Sequence, residues 1–441
     1  MLSTLFNWTK KKEGEELVEP DIQFGRYSDN NKPVEKVDRW NEADTLFKEK
    51  KYYESIAAFF DYLRDEGADN VIHKQEGNKG TFYFYQGSKI IRGFYNEERL
   101  EAEVALASMP APSVPVMRRL LEMNFTLYYT RYALNEDRLT MMFDSDIITA
   151  NPSKLYYGLK ELATKADKQD DLLVQDFTSL KAVDTEHIRE IPVAEKEVKY
   201  RHMQKWIKET LDLIDTVDAD KYSGGIAYLL LALAYRIDFL LVPEGRLLLD
   251  LEKIVDIYFR KDDRPVSEKN AEMIDEFHKL QAKTKEEVYP HLFRSKYTFS
   301  IVTPQTHKTI ADAIYNANQN IGWYKDNKHP HIAARISEYG IAYCQYSYSL
   351  PRPLTELFQL FMMVNYPDFF KELGFKTSYY NSDTKEFNKE AITQSIESIQ
   401  EHWKPKYPDF KFPVDKLKFD DMVSFNQTFT SEIEFLNLES K

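Results

Sequence analysis

The chain has 441 residues, 72 acidic against 59 basic side chains, and a net charge of −13. Hydrophobic residues make up 43% and charged residues 30%, the composition of a globular protein rather than a disordered one. So acidic a surface repels phosphates, and the one basic run, Lys10-Lys11-Lys12, is short and followed by acids, so no nucleic-acid partner is expected.

Residues 1–36 read as an N-terminal arm. Lys and Glu runs and the turn-forming Asp29-Asn30-Asn31-Lys32-Pro33 leave little periodicity, although Ile22, Phe24 and Tyr27 alternate as in a strand. Met1 to Thr9 precede the lysines, the reverse of a secretory leader, which puts charge before a long apolar run. The expected location is therefore cytoplasmic. From Val37 to Arg64, Leu46, Tyr53, Ile56, Phe60 and Leu63 recur at spacings of three, four and seven, which predicts one helix ending near Gly67. The period then falls to two. Strands are predicted over 70–75, 81–85, 89–95 and 100–106, with Gln86-Gly87-Ser88 as a turn, giving an antiparallel meander. Met109-Pro110-Ala111-Pro112-Ser113 breaks the sheet, and Ser113 caps a short helix carrying Val116, Leu120 and Leu121. A strand is predicted from Phe125 to Leu134, a turn at Asn135-Glu136-Asp137, and a returning strand from Arg138 to Phe143. Asn151-Pro152-Ser153 opens a helix to Phe177 with Leu155, Leu159, Leu162 and Ala163 inward.

Beyond a polar link over 181–195 the pattern is mostly helical. Helices are predicted over 198–217, 226–241, 247–259, 268–287, 303–323, from Pro351 through Met362, over 392–403 and over 419–436. The stretch from Gly225 to Val242 is the most apolar, but Arg236 and Asp238 interrupt it. Each charge would cost about 2.5–3.5 kcal/mol near a bilayer centre. A core helix with those two residues at one edge is expected, and no membrane partner. The fold class is therefore α+β: an N-terminal antiparallel sheet with flanking helices over 37–180, then a mainly α-helical domain over 196–441.

The α+β segment resembles the type III secretion chaperone-like fold, in particular its YbjN-like branch. The likeness rests on the order of elements, on the phrase from Leu121 to Leu134 followed by a turn and Arg138-Leu139-Thr140-Met141, and on the closing helix containing Tyr157-Gly158-Leu159-Lys160-Glu161-Leu162. It covers residues 40–180. It implies a small sheet packed on helices that binds protein or peptide partners without catalysis, often as a homodimer. It brings no catalytic residue with it. The long helical half departs from this pattern, since secretion chaperones are much shorter.

Motifs for chemistry are scarce. There is no Gly-rich dinucleotide fingerprint, P-loop, nucleophile elbow or zincin helix. The lone Cys344 allows no intramolecular disulfide or thiolate cluster and reads as a small buried hydrophobe. Asp170-Asp171 and Asp262-Asp263 read as solvated faces. The densest histidine site is His329-Pro330-His331, with Glu338 seven residues beyond His331 on the same helical face and His307 upstream. Three or four converging ligands are needed for a metal, so no metal or other cofactor is expected.

Aromatic runs carry more information. In strands, Tyr83 and Tyr85 would project opposite Phe82 and Phe84, and Tyr128 and Tyr132 opposite Phe125, Leu127 and Tyr129. One face would cover helices. The other, with Tyr83, Tyr85, Tyr128 and Tyr132, is the candidate polypeptide-binding surface, because aromatics dominate interface energetics. The leading expectation is a non-enzymatic cytoplasmic adaptor or chaperone-like protein. The alternative is an enzyme or small-ligand protein with a pocket in the helical half near His307, His329, His331 and Glu338. A helical-repeat scaffold, hinted at by Lys50-Lys51-Tyr52-Tyr53-Glu54-Ser55-Ile56-Ala57, is countered by the strands that follow.

Overall fold

Alternation of apolar and polar residues between Val71 and Asp146 builds an antiparallel sheet, and the 3.6-residue periodicity around it builds helices. The computed structural model describes residues 19–29, 32–65 and 67–439. The fold is mixed, with the sheet near the N-terminus flanked by helices and a mostly helical C-terminal half. The chain divides into two units, one built from residues 32–190 and 293–301, the other from the remainder.

The first unit begins with α1 (Val34–Lys48) and α2 (Tyr52–Leu63). The meander follows as β1 (Val71–Glu76), β2 (Lys79–Gln86), β3 (Lys89–Tyr95) and β4 (Arg99–Ser108). Next come α3 (Val114–Asn124), β5 (Arg131–Asn135), β6 (Arg138–Asp146) and α4 (Pro152–Asp176). The strand order is β1-β2-β3-β4-β6-β5, all antiparallel. A short β7 (Lys181–Ala182) pairs with the end of β4, and β8 (Arg189–Glu190) pairs with β9 (Phe293–Arg294).

One face of the sheet is the core. Phe82, Phe84, Ile91, Ala102, Val104, Met141 and Phe143 are buried there with Leu155, Leu159, Leu162 and Ala163 of α4. The other face is a solvent face. The register places Tyr83 beside Arg92, Arg92 beside Glu103, Glu103 beside Met142 and Met142 beside Arg131. Ion pairs Arg92–Asp184, Arg99–Glu101 and Arg131–Asp144 run along it. Such a half-wet antiparallel sheet is what period-two alternation specifies. The turn between β2 and β3 needs glycine. Gly87 has φ +53°, and a Cβ there would collide with the Asp167 carboxylate, whose Oδ1 accepts from the Ser88 N–H at 2.7 Å.

The core of this unit is finished by residues far along the sequence. Phe299 is fully buried, edge-on to Phe84 (5.7 Å) and to Tyr156 (5.4 Å). The strap that carries it is held by side-chain amides. The Phe299 N–H and Thr298 N–H donate to Gln86 Oε1 at 3.0 and 3.3 Å, and Gln86 Nε2 donates to the Phe299 carbonyl at 3.1 Å. Asn70 Nδ2 donates to the Tyr297 carbonyl at 3.2 Å, and the Gly87 N–H to the Lys296 carbonyl at 3.0 Å. Gln86 and Asn70 are themselves fully buried, so each stands in for a missing stretch of strand ladder.

The second unit comprises α5 (Val193–Ile214), α6 (Ser223–Leu241), α7 (Gly245–Phe259), α8 (Val266–Gln281) and the short α9 (Lys285–Val288). It continues with α10 (His307–Asn318), α11 (Ile321–Asp326), α12 (Pro330–Ser347), α13 (Arg352–Asn365) and α14 (Pro367–Glu372). A hairpin of β10 (Tyr380–Asn381) and β11 (Glu386–Phe387) precedes α15 (Lys389–Trp403) and α16 (Met422–Glu434). Its central helix is α6, buried from Gly225 onward except at Tyr228. It is long and apolar enough to cross a membrane, but 89% of its apolar window is buried.

Arg236 and Asp238 do not sit at an edge of α6. Both are buried and both are paired. Arg26 makes a bidentate contact with Asp238, at 2.9 Å for each of two bonds, while its guanidinium lies 4.1 Å over Tyr346. Residues 19–29 of the arm read from the sequence therefore belong to this unit, and residues 32–36 to the other. Ile22 and Phe24 are buried in its core, and the Glu19 carboxylate accepts from the Lys376 and Thr377 N–H groups. Residues 1–18, 30 and 31 of that arm lie outside the described residues.

Candidate functional site

Placement of the candidate tyrosines separates them. Tyr83 is exposed on the solvent face of β2, edge-on to Tyr85 at 5.9 Å. Tyr85 is half-buried, stacked on His187 at 5.2 Å with Lys296 at 5.2 Å from its ring. Tyr128 is 92% exposed, whereas Tyr132 is 7% exposed. Tyr132 belongs to the core, and burial pushes its hydroxyl well above the usual tyrosine range. The strand order puts β3, β4 and β6 between β2 and β5, a gap of about 19 Å at ~4.8 Å per strand. The four tyrosines therefore do not form one surface.

The cause is that residues 125–130 are not a strand. Phe125, Thr126 and Leu127 turn back on the end of α3 through N–H donations to the carbonyls of Glu122, Met123 and Asn124. The next three N–H groups, of Tyr128, Tyr129 and Thr130, donate to the Glu161 carboxylate of α4 at 2.8–2.9 Å, and the Thr130 hydroxyl adds a fourth bond at 3.0 Å. A carboxylate that fills three backbone donors removes their use in a ladder, so β5 starts only at Arg131. Asn124 Oδ1 then accepts from the Tyr132 N–H at 2.7 Å, on the side of β5 away from β6.

This clamp leaves aromatic rings outside. Phe125 is 91% exposed, and Tyr129, Leu121 and Val114 are exposed too. At 100° per residue Val114, Arg118, Leu121 and Phe125 share one face of α3, opposite the buried Val116, Leu120 and Met123. The helix is thus apolar on two sides. Beside the outer stripe lies a groove of about 330 Å³ lined by Val114, Pro115, Arg118, Arg119, Glu122 and Phe177. Nothing in α3 caps this stripe with a charge ladder like that of the sheet face. The sequence carried a signal for it, the i, i+7, i+11 spacing of Val114, Leu121 and Phe125, but a strand reading of residues 125–134 hides it.

Replacing Glu161 with alanine is expected to free the loop without touching its rings. Loss of hydrogen bonds to a charged acceptor should lower the stability of this unit by about 1–3 kcal/mol. Amide exchange should rise at Tyr128, Tyr129 and Thr130 ahead of the rest of the unit. Unchanged protection there would show that the clamp does not hold the loop.

The alternative group in the helical unit has no common focus. His331 is exposed. His329 precedes α12 and packs on the Tyr222 ring at 4.3 Å. His307 opens α10 and is half-buried, with its imidazole pushed to more acidic values by burial against the end of α16. Glu338 is fully buried and fully used, as its carboxylate takes Arg236 Nε at 2.6 Å, Arg335 Nη1 at 2.6 Å and the Tyr366 hydroxyl at 2.6 Å. Cys344 is buried, and burial pushes its thiol up, away from the reactive thiolate. Among the described residues no group of three or more His, Cys, Asp or Glu is arranged to hold a metal ion.

No protein-family model matches this sequence, and no curated protein is significantly similar to it.

Proposed function

We propose that this protein is a non-enzymatic, cytoplasmic polypeptide-binding adaptor, and that it binds through the outer stripe of α3 and the aromatic loop that follows. The observation that carries the reading is the pairing of exposure with rigidity. Phe125 and Tyr128 are almost wholly in water, yet the loop between them and β5 is fixed by four bonds to one carboxylate. Exposed aromatics on a preorganised loop lose little entropy on docking, which is the condition for an interface anchor. These two rings, at about 150–250 Å² each, with the exposed Val114, Leu121 and Tyr129 beside them, supply much of the ~800 Å² per partner of a standard interface. The α+β element order, which resembles the YbjN-like and secretion chaperone-like families, is consistent with the same reading.

An array of synthetic peptides of varied composition, probed with the purified full chain, tests it. A subset of apolar-rich peptides is expected to bind, and Leu121→Asp with Phe125→Ser is expected to remove that binding, by about tenfold or more. Circular dichroism and thermal melts verify that the variant stays folded. If no peptide depends on these two side chains, the proposal fails.

A further inference from the structure

Resting on that reading, we infer that the partner is an acidic amphipathic helix, whose apolar side chains lie on the Val114–Leu121–Phe125 stripe and whose carboxylates meet Arg118 and Arg119. Charge is the argument. Arg118 and Arg119 are both exposed, and neither is in an ion pair among the described residues. They are adjacent in sequence on a chain of net −13, where most other exposed arginines near the sheet already face a carboxylate, as Arg92, Arg99 and Arg131 do. Arg118 lies inside the apolar stripe, one turn from Val114 and one from Leu121. Arg119 opens onto the groove toward Pro115 and Phe177.

Glu122 lines the same groove, one turn beyond Arg118. Two guanidiniums against one carboxylate leave the groove net positive. An Arg placed N-terminal to Glu at this spacing is the weaker orientation for an intrahelical pair, and the two residues are not joined. Neither guanidinium is taken up by a carboxylate among the described residues, and an arginine fork can bind an incoming one in bidentate fashion. An apolar ridge flanked by cations matches a helix that repeats apolar residues every three or four positions with acids between them. Long-range repulsion from the acidic remainder of the chain slows such a partner's approach. The local pair of cations then confers selectivity at the groove, whose lining carries two guanidiniums and one carboxylate.

Fluorescence anisotropy with two labelled synthetic helices of four turns provides the test. Both carry Leu at heptad-like positions; one has Glu at the remaining exposed positions, the other Lys. The full chain is expected to bind the Glu peptide about tenfold or more tightly than the Lys peptide, with the preference shrinking as salt rises. Arg118→Glu with Arg119→Glu is expected to reverse the order. Leu121→Asp is expected to abolish binding of both.

Equal affinity for the two peptides in the wild type overturns the acidic partner while leaving the docking surface standing. Binding that survives Leu121→Asp overturns the surface itself, and failure of the Glu peptide to bind overturns the inference. Sedimentation equilibrium supplies the last outcome. Two antiparallel copies of α3 could exchange Arg118–Glu122 pairs, and a dimer split by Leu121→Asp would assign the stripe to a second copy instead.

Discussion

Glu338→Ala is expected to destabilise the helical unit by about 3–5 kcal/mol, the usual cost of leaving buried charge without its counter-ion. The carboxylate is enclosed, and the Arg236 guanidinium that it neutralises is only 3% exposed as a residue. Arg236 lies 4.6 Å over the Tyr366 ring and 5.6 Å from that of Trp206, so once its anion is gone it has aromatic faces but no counter-charge. Arg335 Nη1 and the Tyr366 hydroxyl lose the same acceptor. Urea unfolding followed by tryptophan fluorescence measures the loss. Glu338→Gln keeps the shape and one acceptor and should cost less than the alanine variant.

The same residue gives a pH dependence with a definite sign. Burial pushes the Glu338 carboxyl up, and Arg236 with Arg335 more than offsets this, so its pKa lies below the usual glutamate value. A depressed carboxylate stabilises the fold fully above the unfolded-chain value of ~4.3 and loses that contribution as pH falls through its folded-state value. The wild type should therefore lose stability on acidification more steeply than Glu338→Gln, which has no proton to take up at this position. Parallel acid-unfolding profiles of the two proteins would exclude Glu338 as a contributor.

The second large effect is expected at Phe299. Phe299→Ala removes a fully buried ring from a packing site between Phe84 and Tyr156, for a loss of about 3–5 kcal/mol. The loss should fall on the α+β unit. Hydrogen exchange should show β1 to β4 opening more often, with the helices of the other unit unaffected. Ile301→Ser, at an exposed position two residues on, is the control and should stay within about 0.5 kcal/mol of wild type. Equal stability of Phe299→Ala and wild type would mean that the strap lies on this unit without contributing to its core.

These two sites mark where the sequence was and was not readable. The meander over 70–106 and the helices opened by Asn151, Pro351 and the apolar run before Val242 follow from local periodicity and capping, and they stand as expected. The predicted helix over 37–64 is two helices, because Lys50 adopts φ +64°. The Lys51 N–H to Leu46 carbonyl and Lys50 N–H to Phe47 carbonyl bonds close a left-handed stop there, without the glycine that would announce it. The predicted helices over 268–287 and 303–323 are each broken in two as well, at Thr284 and at Asn320.

The strand expected from Phe125 fails at Glu161, a residue more than thirty positions away whose carboxylate competes for the backbone. Pairings of this kind, and those of Glu338 with Arg236 and of Gln86 with Phe299, join residues distant in sequence, and no window of neighbouring residues encodes them. The exposed face of α3 was legible in principle, since helical spacing alone aligns Val114, Leu121 and Phe125. What hides it is the strand-like run from Phe125 to Leu134, which takes Phe125 off the helical face.

The strap also fixes an order of events during synthesis. Residues 32–190 leave the ribosome first, but their core lacks Phe299 until residues 191–292 have been added. At ~5–20 residues per second that is a delay of about 5–20 s. During it the nascent sheet has an open slot beside Phe84 and two buried amides, Gln86 and Asn70, without their strap partners. A gene fragment ending at residue 190 would make that transient condition permanent, and a stable α+β fragment has to be supplied with residues 293–301 in cis or as a separate peptide.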